Sequence, residues 1–88
     1  MKKVLKTLMT VLRGNADNNI RFIELCKMLE YLGFEVRVRG DHHIFTIEGI
    51  PEIINLQPKK GKAKAYQVKQ VRELITTYRL VQENDHEE

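Results

Sequence analysis

Tryptophan is absent from this chain, and three tyrosines and three phenylalanines make up its whole aromatic complement. So few rings argue against a large aromatic stacking platform. Cysteine occurs once, as Cys26. A single thiol cannot close an internal disulfide, and it has none of the neighbours that a zinc site or a CxxC redox pair requires. That usage fits a reducing compartment. Long apolar runs are also missing. Lys6 and Thr7 interrupt the basic start Met1–Leu5, so no continuous signal-peptide core forms. No stretch approaches the length needed to cross a bilayer. The expected location is the cytoplasm, with no membrane partner. There is no glycine-rich phosphate cradle, no Ser/His/Asp set and no carboxylate pair spaced for acid–base work.

What the chain does have is charge. Lysine and arginine number 15, and aspartate and glutamate 12, among 88 residues. Four of the acids, Glu83, Asp85, Glu87 and Glu88, fall in the last six positions. Without them 15 bases face 8 acids. The stretch from Gln57 to Arg72 carries Lys59, Lys60, Lys62, Lys64, Lys69 and Arg72 with no acid. Such a stretch reads either as a solvated surface or as the footprint of a polyanion.

Hydrophobic spacing divides the chain into six elements. Val4, Leu8 and Val11 recur at helical spacing over about residues 2–13, with Gly14 and Asn15 as the stop. Phe22, Leu25, Leu29 and Leu32 form a second stripe over about 19–32, ended by Gly33. Cys26 lies beside that stripe and reads as packing. The period then changes to two. Phe34, Val36 and Val38 alternate with Glu35, Arg37 and Arg39. Gly40–Asp41 is a hairpin turn, and His42–Ile47 and about Glu52–Leu56 are further strands, with Pro51 at a strand start. A last helix is predicted over about 66–81, on Val68, Val71, Ile75 and Tyr78. The expected fold class is α+β. Its order is α-α-β-β-β-α, and a three-stranded antiparallel sheet carries helices on one face. The expected organisation is an extra N-terminal helix (1–14), one domain (15–82) and an acidic, disordered tail (83–88).

Strand parity then sorts the polar residues. Phe45 and Ile47 mark the helix-covered face, so His42 falls on the open one. Arg37 and Arg39 join it, and so does Asn55 if Ile54 and Leu56 point inward. Arginine offers paired donors that suit phosphate. Histidine is the side chain most readily used for proton transfer near neutral pH. On pattern alone His42 reads equally as a catalytic histidine and as a surface histidine without a function. His43 faces the other way, so the two do not share a metal ion, and no metal or cofactor site is expected. His43 reads as a half-buried structural residue, hydrogen-bonded at the sheet edge.

The segment Gly40-Asp41-His42-His43-Ile44-Phe45 resembles the Gly-Ser-His-His-x-Phe/Tyr signature of HicA-family toxins. Leu32-Gly33-Phe34, Asn55-Leu56-Gln57-Pro58 and the lysine-rich turn into Tyr66-Gln67-Val68-Lys69-Gln70-Val71 are similar as well, so the resemblance covers about residues 20–80. It implies a fold like the double-stranded RNA-binding domain. It also implies ribosome-independent cleavage of mRNA with His42 as the essential residue, and a HicB-type antitoxin as partner. Arg37, Arg39, Asn55, Lys59, Lys60, Lys62 and Lys64 are then the expected RNA contacts. The family's serine is replaced by Asp41. A carboxylate there favours protonated His42 and repels phosphate, so Asp41 is expected to modulate activity. Two other readings are a non-catalytic RNA-binding domain of the same fold and a protein-interaction domain with an acidic partner.

Overall fold

The computed structural model describes residues 2–81. Helix α1 (Lys3–Arg13) leads through a single 3-10 turn (Asp17–Asn19) to α2 (Phe22–Tyr31). Strands β1 (Glu35–Arg39), β2 (His42–Ile47) and β3 (Ile50–Leu56) follow, and α3 (Ala65–Thr77) closes the fold. The strands form one antiparallel sheet in the order β1-β2-β3. This is the α+β architecture that the spacing predicts. The predicted acidic tail lies outside the described residues.

The core lies between the helices and one face of the sheet. Phe45, Ile54 and Leu56 are fully buried from the sheet side, and Leu8, Val11, Leu25, Met28, Leu29, Val68, Val71 and Ile75 meet them from all three helices. Truncating a side chain such as Phe45 to alanine there costs about 3–5 kcal/mol. Cys26 is part of this core, and burial, with a smaller contribution from Glu30, pushes its thiol up to about 11. That matches the packing role read from its position beside the stripe.

Three boundaries differ from the sequence expectation, each for a tertiary reason. Helix α2 begins at Phe22 because Ile20 and Arg21 are held extended. Ile20 accepts from the Ala63 amide at 2.9 Å and Arg21 bridges Lys62. Strand β3 starts at Ile50, two residues before the expected start. A register shift between Phe45 and Ile47 lets Pro51 sit inside the strand without a ladder bond. Helix α3 stops at Thr77, where Arg79 turns left-handed (φ 52°) and the Leu80 amide reaches back to the Ile75 carbonyl at 3.0 Å.

The first strand departs from its pattern in burial, not in parity. Val36 pairs with Phe45 and Val38 with His43, so both valines do share the core side of the sheet. Yet Val38 is 55% exposed, and only Phe34 of the predicted trio is buried. The helix layer covers β2 and the other edge strand, β3, and leaves β1 less covered.

Candidate functional site

The β1–β2 hairpin builds the centre of the open face. Gly40 takes φ 63°, the conformation required at the first position of a tight hairpin turn. The turn sets Arg39 directly across from His42, and Arg37 across from Ile44. Strand β3 supplies the other side, with Asn55 opposite Ile44. Paired residues of neighbouring strands share a face. Arg37, Arg39, His42 and Asn55 therefore lie together on the side away from the helices, as the parity argument expects.

His42 is held there by one contact. Its Nδ1 lies 3.2 Å from Asn55 Oδ1. A carbonyl oxygen only accepts, so this contact is a hydrogen bond in the tautomer whose proton is on Nδ1. In the neutral ring that leaves Nε2 with a lone pair. About half of the His42 side chain is exposed. Asp41 Oδ1 stands 3.9 Å from Nε2. The other oxygen of Asp41, Oδ2, accepts from the Gln57 amide at 2.9 Å. That hydrogen bond is the main reason the Asp41 carboxyl is held below its ordinary value, with smaller help from His42 and Lys64.

Gln57 was not among the candidates read from sequence, although its signal was present. It stands two positions after Asn55, so the same alternation carries it toward the same face. His43 corrects a prediction. It is half-buried as expected, but it sits on the central strand and is not hydrogen-bonded at a sheet edge. Its ring meets the edge of Phe22 at 4.9 Å, and among the described residues its buried Nδ1 has no hydrogen-bond partner.

The lysine-rich segment is more ordered than a loop. The amide of Lys59 donates to the carbonyl of Lys62, and the amide of Lys62 returns to that of Lys59, at 2.9 and 3.0 Å. Between them Lys60 (φ 54°) and Gly61 (φ 79°) are both left-handed, the geometry of a type I′ turn. Gly61 also accepts from the Phe22 amide at 3.0 Å, and Ala63 is buried. Lys59, Lys60 and Lys62 point to solvent, and Lys64 is half-buried just before α3, where its amide donates to Gln67 Oε1. Together with Asn18 and Tyr66 they line a wide, shallow depression. Arg72 does not belong to this surface. It makes a two-pronged ion pair with Asp17 at 2.9 and 3.0 Å and donates to the Val11 carbonyl. The acid-free stretch in sequence therefore ends, in space, at an acid from another element.

The model of the family described as HicA toxin of bacterial toxin-antitoxin systems matches residues 23–76, more than half of the chain. The chain belongs to the HicA toxin family. The matched segment carries Arg37, Arg39, Asp41, His42, Asn55, Gln57 and the four lysines of the turn, whereas α1 and the 3-10 turn with Asn18 precede it. No curated protein and no solved structure matches the chain. Among the described residues of this HicA-family chain, no helix is long and apolar enough to cross a membrane, and no group of three or more metal-ligating side chains is assembled.

Proposed function

We propose that this HicA-family protein is a cytoplasmic, ribosome-independent mRNA endonuclease that uses His42 as its base and a HicB-type antitoxin as its restraint. The observation that carries the reading is the His42–Asn55 contact, which supports the tautomer with its proton on Nδ1 and a lone pair on Nε2. In the reaction Nε2 takes the proton of a ribose 2′-hydroxyl. The 2′-oxygen attacks the adjacent phosphorus, the P–O5′ bond breaks, and a cyclic phosphate forms. The departing 5′-oxygen takes a proton from water, and the hydroxide left behind takes the proton from the imidazolium, which restores His42. Arg39, across the hairpin from His42, and Arg37 beyond it balance the charge that grows on the phosphate. Lys59, Lys60, Lys62 and Lys64 hold the strand by its phosphates. The step requires neither metal nor cofactor.

Asp41 acts on both sides of this scheme. A carboxylate 3.9 Å from Nε2 stabilises the imidazolium formed after proton transfer, and it repels the phosphate that must approach. That same contact favours one second reading, a non-catalytic RNA-binding domain whose histidine is occupied by Asp41.

The test is purified His42→Ala against the parent on a labelled single-stranded mRNA fragment. Cleavage by the parent, in the presence of EDTA, should disappear in the variant while circular dichroism is unchanged. A folded His42→Ala protein that cleaves at the parent rate would falsify the assignment. A parent that binds RNA without cutting it selects the second reading.

A further inference from the structure

Tyr66 is 66% exposed, more than any other large apolar side chain among the described residues. It opens α3, and the stripe that packs this helix, Val68, Val71 and Ile75, does not include it. A tyrosine left outside the core at that exposure gives up the burial that normally places the ring. Its surroundings are specific. It lines the depression of the lysine turn with Asn18, Lys59, Lys60, Lys62 and Lys64, and among the described residues no acid lines that depression. The backbone that carries the lysines is fixed by the paired Lys59–Lys62 bonds and by Gly61's bond to Phe22. Lys60 even holds φ 54°, a conformation that side-chain-bearing residues other than Asn and Asp seldom adopt.

We propose that Tyr66 and the lysine turn form a subsite for one unpaired nucleotide, whose base stacks on the Tyr66 ring while its flanking phosphates rest on the lysines. Asn18 stands at the rim with an amide that can donate to and accept from a base edge. Gln57 connects this subsite to the reaction centre, since it precedes Pro58 of the depression and its amide holds the Asp41 carboxylate beside His42. Bases inside a duplex are stacked on each other and cannot lie on a protein ring. The occupant is therefore single-stranded RNA, and the subsite selects strands whose bases are free near the cleaved bond. The inference rests on the proposed RNA-directed reading and adds the form of RNA that is taken.

The experiment uses the His42→Ala chain so that RNA stays intact. Its affinity is measured for a single-stranded oligonucleotide and for a duplex of equal length, with Tyr66 intact, as Tyr66→Phe and as Tyr66→Ala. Loss of one stacked base should weaken single-strand binding by roughly 5- to 150-fold in Tyr66→Ala. Tyr66→Phe should retain it, and duplex binding should change in neither. A 2-aminopurine placed along the strand should lose fluorescence on binding the Tyr66 protein and regain it with Tyr66→Ala. Unchanged single-strand affinity in Tyr66→Ala, or an equal loss on duplex, overturns the subsite and leaves the RNA reading standing. Absence of any RNA binding by the Tyr66 protein overturns both.

Discussion

Asp41 stands where two requirements on His42 meet. The base needs an open path to the ribose hydroxyl, and the imidazolium formed afterwards benefits from a nearby negative charge. With Oδ2 tied to Gln57, the carboxylate cannot swing clear of Nε2 without losing that bond. Asp41→Ser removes the charge at a turn position that accepts either residue. RNA affinity should rise roughly two- to five-fold, the size of an exposed charge interaction, and cleavage should be at least as fast. Filter binding and single-turnover kinetics check it; weaker binding by the serine variant would mean that Asp41 itself contacts RNA. The sign of the pH effect is also set. The Asp41 carboxyl is lowered on folding by Gln57, so its charge persists as pH falls until the lowered value is passed. The repulsion is therefore present across the neutral range and cannot be titrated away there.

At the level of elements, the ion pair of Arg72 with Asp17 joins α3 to the 3-10 turn, and the third bond to Val11 takes in the end of α1. Each partner is only about a fifth exposed. Arg72→Ala leaves the Asp17 carboxylate and the Val11 carbonyl without their donor, which should cost about 1–3 kcal/mol in urea unfolding. Arg72 lowers the Asp17 carboxyl from its ordinary value, first through the hydrogen bond. A depressed folded-state value means that the stabilisation is complete above the unfolded carboxyl range and is lost as pH falls through the folded value. The parent should therefore lose stability on acidification more steeply than Arg72→Ala, and parallel curves would show that the pair contributes nothing. The lysine turn calls for a different readout. Converting Lys59, Lys60, Lys62 and Lys64 to glutamine should weaken binding to every RNA sequence. It should also flatten the salt dependence by about 0.7 per lost phosphate contact on a single strand. An unaltered slope would identify the turn as a solvated hairpin.

Among the described residues one face of the sheet carries no helix, and the proposed chemistry lies on it. A toxin of this family acts in a toxin–antitoxin pair. Exposed ion pairs are worth about 0–1 kcal/mol each, so a short acidic segment is a weak mask for such a surface. An antitoxin that covers His42 and sets acidic groups against Arg37, Arg39 and the lysine turn should bind fast and weaken as salt rises. RNA and antitoxin should then exclude each other on His42→Ala protein in a fluorescence competition. RNA that stays bound with unchanged affinity at saturating antitoxin would place the inhibition at a distance from this face.

Much of this arrangement was legible in the order of residues. Alternation with period two is enough to put His42, Arg37, Arg39 and Asn55 on one side of a sheet, because parity is a local property of extended backbone. The helical stripes located α1, α2 and α3 for the same reason, and the Gly-x-His-His segment carried the family. What alternation cannot give is which edge strand the helices cover: Ile54 and Leu56 of β3 are buried, whereas Val36 and Val38 of β1 kept their face but not their burial. Nor can it show where side chains distant in sequence meet. Asp17 and Arg72 are 55 positions apart, and Asn55 and His42 are 13 apart. Only packing of α3 against α1 and the 3-10 turn decided that Arg72 belongs to the scaffold, and only the β2–β3 register decided that Gln57 holds Asp41 and that Asn55 meets His42. Those contacts depend on distances in space, and spacing along the chain does not encode them.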